Sequence, residues 1–210
     1  MKRIMLFILC AALLLPTCAC AGRKPANNEV NDLKPVIYLY PEETTEVTVE
    51  LLYDGTVTAT YPVADGSWHV TAHPDGTLQK DGRTYTCLFW EGRRNVEYDF
   101  SEGFCVAAQD SVAFLQDHLE KMGLEEKEYN EMIVYWLPVL LEHPYNLISF
   151  QQECYTDGAQ LKIDPEPDSV LRVFMAVKPL DAPVSIREQN MEPFERTGFC
   201  VVEWGGAVVR

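Results

Sequence analysis

An α+β fold follows from three observations on this 210-residue chain. Its first half is a series of short apolar runs divided by Asp-Gly turns, with a β-rich part expected at 35–107. Near Asp110 the apolar spacing changes from two to three or four, which predicts helix. Strand-like runs then return, so a mixed part is expected at 108–210, continuous with the first. Strands this short and evenly spaced suit an antiparallel sandwich or open barrel.

The elements follow in order. Val36 to Tyr40 is a compact apolar run closed by Pro41. Glu46 to Leu52 alternates, with Val47, Val49 and Leu51 on one side. Asp54-Gly55 predicts a hairpin turn that returns through Thr56 to Tyr61. Trp68 to Ala72 follows Asp65-Gly66, and Asp75-Gly76 and Asp81-Gly82 are further turns. Thr84 to Trp90 and Gly103 to Ala107 complete the first half. Val112, Leu115, Leu119 and Met122 mark a helix, with Asp110 or Ser111 as its cap and Gly123 at its end. A second helix is expected from Glu125, where Glu125, Glu126 and Glu128 suit the positive end of its dipole. Ile133 to Leu137 is read as a buried strand ended by Pro138, although Tyr129, Met132, Ile133 and Trp136 would also continue a helical face. Leu147–Gln151, Ala159–Ile163, Val170–Lys178 and Gly198–Trp204 read as strands, and 164–168 as a stiff acidic connection. No internal repeat is present.

Residues 1–21, MKRIMLFILCAALLLPTCACA, have the order of an export signal: a basic start, an apolar run, a Pro and small residues. The run is shorter than the roughly 20 residues a spanning helix needs. An extracytoplasmic protein is therefore expected. Two endings stay open. Ala19 and Ala21 fit cleavage and secretion, and Cys20 after Ala19 fits a lipid-anchored lipoprotein, with Cys18 a poorer lipid site behind Thr17. Residues 22–34 read as a polar tether. Removing Lys2 and Arg3 leaves 15 basic against 32 acidic residues, a net charge of −17. Such acidity repels phosphate backbones and anionic headgroups, so neither nucleic acid nor a membrane surface is an expected partner, save through a lipid anchor.

Cys87, Cys105, Cys154 and Cys200 permit two disulfides or four buried thiols. Without C-x-x-C spacing they suggest no zinc or redox site. No cofactor is expected. His69 and His73 stand too far apart on a strand to share an ion, roughly 13 Å. Asp164, Glu166 and Asp168 have alternating acids but lack the Gly and Glu of a calcium loop. A Cys105 or Cys200 nucleophile with His118 or His143 has no supporting motif.

Segments KPVIYLYPEETTEV (34–47), PDGTL (74–78), LFWEG (88–92), EYNEMIVYWLP (128–138), PYNLISFQ (144–151), SVLRVFMAVKPLD (169–181) and GFCVVEWGG (198–206) together carry a resemblance. With them the chain resembles an uncharacterised family of exported bacterial proteins and lipoproteins that carry a KPVIYLYP segment. The resemblance implies export and one continuous module. It implies no activity, and no residue role is carried over.

Two sites remain to weigh. Trp90-Glu91 and Glu203-Trp204 each set an acid beside an indole at a strand end. Acids beside exposed rings bind sugars, so Trp68, Trp90 and Trp204 are candidate ligand-binding residues. Two carboxylates in one cleft hydrolyse glycosides, so Glu91 and Glu203 are candidate catalytic residues. The structural alternative pairs the acids with Arg93 or Arg94 and buries the indoles. A surface-anchored binding or interaction module for cell-wall glycan or an envelope protein is the expected function; an extracellular glycan hydrolase is the alternative.

Overall fold

The computed structural model describes residues 29–210; the export-type segment, Cys18 and Cys20 lie outside the described residues. In chain order the elements are β1 (Glu29–Tyr40), β2 (Thr45–Tyr53), β3 (Thr56–Tyr61), β4 (Ser67–Ala72), β5 (Leu78–Lys80), β6 (Arg83–Tyr85), β7 (Leu88–Asn95) and β8 (Phe104–Ala107). A short 3-10 turn leads into α1 (Ser111–Lys121) and α2 (Glu126–Leu140). Then come β9 (Tyr145–Gln151), the one-turn α3 (Glu153–Thr156), β10 (Ala159–Asp164), β11 (Ser169–Leu180) and β12 (Cys200–Val208). This is an α+β fold with a sandwich of two sheets.

The larger sheet runs β3-β7-β1-β12-β11-β9-β8, and the smaller β10-β2-β4-β5-β6. All pairings are antiparallel except β11 with β12. The first and second halves of the chain share both sheets: β1 lies between β7 and β12, and β10 adds to β2. Strand alternation then makes two cores. On one face of β1, Val36 and Tyr38 pack with Leu115, Leu119, Met132 and Trp136 of the helices. On its other face, Ile37 and Leu39 pack with Val47, Val49, Trp68 and Val70 of the smaller sheet.

Five expectations are corrected. Ile133 to Leu137 is helical, inside α2, because Met132, Ile133, Trp136 and Leu140 bury one face at helical spacing. Pro138 sits in the last turns, where the hydrogen bond it deletes would have gone to Val134, a residue on the solvent side. Asp54-Gly55 turns the chain but makes no hairpin. β2 and β3 enter different sheets, and Asp54 N–H donates to Gly158 O at 2.8 Å. The run 84–90 is two strands, β6 and β7, which part at Thr86 into separate sheets. The polar tether ends earlier than expected, since Glu29–Lys34 already belongs to β1 and pairs with β7 up to Asp32. Asp110 precedes α1, but no side-chain hydrogen bond caps that helix.

Asp81-Gly82 is a true hairpin turn. Both residues have positive φ, 51° and 72°, which a two-residue turn between Lys80 and Arg83 requires. The long irregular segment 181–199 crosses the β8 edge of the larger sheet. Gly103 N–H donates to Arg187 O, and the Gln189 carboxamide both donates to and accepts from the Phe150 backbone. Farther on, Arg196 bonds Gly123 O and the buried Glu128.

Candidate functional site

The four tryptophans are buried at 1% exposure or less. The expected aromatic platform of Trp68, Trp90 and Trp204 is therefore not on the surface. Trp68 donates its indole N–H to Pro62 O at 2.7 Å, Trp204 to the Tyr38 hydroxyl at 3.2 Å, and Trp90 to Glu203 Oε1 at 3.1 Å. Each of these three rings fills core with its N–H satisfied internally, whereas the buried Trp136 indole N–H has no hydrogen-bond partner among the described residues.

Glu91 and Glu203 do not share a cleft. Glu203 lies between the two sheets, 1% exposed, with Arg172 Nη2 2.6 Å from its Oε2. Glu91 alternates with Trp90 and points to the helical side of the larger sheet, where it accepts a long hydrogen bond from Lys34 N–H. Opposite faces of one sheet cannot flank one glycosidic bond, so the paired-carboxylate arrangement is absent. Nor do Arg93 and Arg94 serve these acids. Arg93 is 3.9 Å from Glu29, and Arg94 is 3.0 Å from Asp32.

The Asp32–Arg94 pair is a buried feature that the sequence did not single out. Tyr53 and Tyr98 donate to the Asp32 carboxylate, and Arg94 Nη2 donates to the Tyr98 hydroxyl and the Cys154 carbonyl. Burial pushes the Asp32 carboxyl up, against the Tyr98 hydrogen bond and the charge of Arg94. Burial pulls the other way on Arg94, where Tyr98 and Asp32 outweigh it and hold the guanidinium charged. Space for this network comes from missing side chains. A Cβ on Gly158 would lie 1.8 Å from Arg94 Nη1, and one on Gly92 would lie 2.5 Å from the Tyr53 ring. With every charge paired and buried, the network is a structural tie between the sheets.

The remaining candidates separate in the same way. His69 bonds Thr48 and Ser67, and His73 bonds Thr44, on the outer face of the smaller sheet. No group of three metal-ligating side chains occurs among the described residues. Asp168 accepts from Phe199 N–H at 2.7 Å and so anchors the chain before β12. His118 stacks on Phe114 and bonds the Phe114 backbone oxygen, and among the described residues no hydrogen bond joins it or His143 to Cys105 or Cys200. The four described cysteines are free. Burial raises the thiols of Cys87, Cys154 and Cys200, which keeps them protonated and weakly nucleophilic.

What the structure does offer is an open groove of about 1100 Å³ where β1 begins and β11 and β12 end. Val30 and Leu33 of β1, Val96 and Val208 give it apolar surface. Glu29, Glu97, Asp99 and Glu142 contribute acids, while Lys178, Arg210 and His143 contribute basic groups. Tyr98 is shared between the groove and the buried network behind it. Among the described residues, no Ser, Thr or Cys lines the groove. Such a lining can bind through complementary charge and apolar contact. Sequence reasoning missed it because its residues come from five separated stretches, none with a local pattern.

No family model matches this chain, and no solved structure matches it. The chain is 44% identical, over 94 residues, to a protein described as "Uncharacterized protein in bglA 3'region" from Butyrivibrio fibrisolvens. The match takes in 43% of this chain and 97% of that protein. Likeness of that degree over nearly the whole of the relative shows common descent, and the chain belongs to the same family as the bglA 3'region protein of Butyrivibrio fibrisolvens.

Proposed function

We propose that the protein is an exported binding module of the cell envelope, with the groove beside β1 as its ligand site. The observation that carries the reading is the groove itself: it is open, mixed in charge and partly apolar. The signal-like start supports export, and Cys20 after Ala19 supports a lipid anchor. Secretion after Ala21 is the other ending of the same signal. The strong acidity favours a glycan or protein of the envelope over nucleic acid or lipid headgroups. Burial of every tryptophan shifts the balance from a stacked glycan towards a protein or peptide partner. Catalysis by Glu91 and Glu203 has no geometric support.

The test has two parts. The full chain, produced in a bacterial host, is fractionated with and without Cys20→Ala. Detergent-phase partition that this substitution abolishes supports the anchor. The protein is then incubated with washed envelope material, and both its retention and the release of soluble sugar are measured. Saturable retention without release is the expected result. Sugar release, or no retention, contradicts the reading.

A further inference from the structure

Residues 29–210 contain thirteen Lys and Arg side chains, and eight of them lie within 4.0 Å of a carboxylate. The other five are Lys34, Arg83, Lys127, Lys178 and Arg210. Two of these, Lys178 and Arg210, line the groove, and Lys34 directly follows Leu33 on its wall. No carboxylate can reach them from residues 1–28, which contain no Asp or Glu. Three groove acids, Glu97, Asp99 and Glu142, likewise form no ion pair among the described residues. In a chain where most described cations find an acid, two that do not lie at one cavity, beside three acids with no ion pair among the described residues. They stand too far apart to neutralise each other, and a ligand with both signs would bridge them.

The groove also has direction. Val139 of α2 lines it, and Tyr135 lies one helical turn earlier on the same flank. Lys34 Nζ sits 5.7 Å from the Tyr135 ring and 5.6 Å from Phe89, held there by cation–π attraction. Lys34 also has a left-handed backbone, φ 55°, at the register shift of β1. That conformation is costly for a residue with a side chain, and its effect is to turn a cation onto this shelf. On this flank the lining itself comes from Val139 at the end of α2 and from Glu142 and His143 in the turn beyond.

We infer that the groove takes a short extended peptide segment that carries both an amine and a carboxylate. Lys178 and Arg210 receive the carboxylate, with Lys34 adding positive charge beside them, and Glu97, Asp99 and Glu142 receive the amine. A polyanion is repelled by the acids, and a neutral sugar leaves the groove charges without partners. The inference rests on the binding reading above and names its ligand class.

The test uses the full chain and end-blocked fluorescent hexapeptides, read by anisotropy at low salt. One peptide carries a single Lys and a single Glu; the others carry two Lys, two Glu, or neither. The mixed peptide should saturate and bind best. Binding should fall about tenfold or more with Lys178→Glu plus Arg210→Glu, and with Glu97→Lys plus Glu142→Lys, while Lys127→Glu outside the groove leaves it unchanged. Thermal unfolding of each variant establishes that it is folded. Equal binding of all four peptides, or of wild type and groove variants, overturns the inference. Retention on envelope material is measured with the same variants. If retention needs the groove charges but no peptide binds, the ligand class is wrong and the binding reading stands. Retention indifferent to them overturns both.

Discussion

At the residue scale the most constrained side chains are the buried ions. Asp32 and Arg94 are 0% and 5% exposed, and each has lost its water. Truncating one leaves the other charged and unpaired, which costs about 3–5 kcal/mol, whereas replacing both by apolar residues of similar size is far less costly. Arg94→Met should therefore destabilise the protein by roughly that amount in urea unfolding, and Asp32→Leu added to it should recover much of the loss. A loss that the second substitution deepens would contradict the pairing. Gly158→Ala attacks the same network through space, because its Cβ falls on Arg94 Nη1. About 1–3 kcal/mol is the expected cost by the same measurement. The thiols give a second check. Burial holds Cys87, Cys154 and Cys200 protonated at neutral pH, so they should react slowly with a thiol reagent while folded, and faster as pH rises towards their raised values. Denaturation without reductant should expose all four described cysteines. Fewer thiols would mean a disulfide.

At the element scale, local pattern and tertiary context divided the information. Thr56–Tyr61 and the Asp81-Gly82 turn were legible because β-branched residues and a Gly-bearing turn act locally. Ile133–Leu137 was not, since a short apolar run suits a buried strand and a buried helix face equally, and only the sheet beneath α2 decides. The Trp136 ring there lies where a Cβ on Gly206 would stand 2.5 Å away, so that glycine admits the helix onto β12. Gly206→Val should disrupt this seam and lower the melting temperature sharply, while Val134→Ala on the exposed side of α2 should not. The segment 181–199 shows the other limit. It has little regular structure, yet its charged and amide side chains close a sheet edge. Arg196→Met leaves the buried Glu128 unpaired. It should make this segment the first site of limited proteolysis, with about 3–5 kcal/mol lost in urea unfolding. Cleavage elsewhere first would contradict this role of Arg196.

At the scale of the whole molecule, the α+β class was readable from periodicity, but the candidate site was not. The tryptophans and strand-end acids drew notice because they are chemically conspicuous in sequence. Alternation along β7 and β12 then put Glu91 and Glu203 on opposite faces and the indoles inside. The groove gathers the start of β1, the 96–100 loop, the end of α2, β11 and the last residues, and only the topology brings them together. The central claim is that this groove is where the protein meets the envelope. Amide hydrogen exchange of the full chain, with and without a soluble digest of envelope material, tests it most directly. Added protection at 29–34, 96–100, 139–143 and 178–179 is the predicted result. Protection confined to the outer face of the smaller sheet, around Thr48 and His69, or none at all, would contradict it.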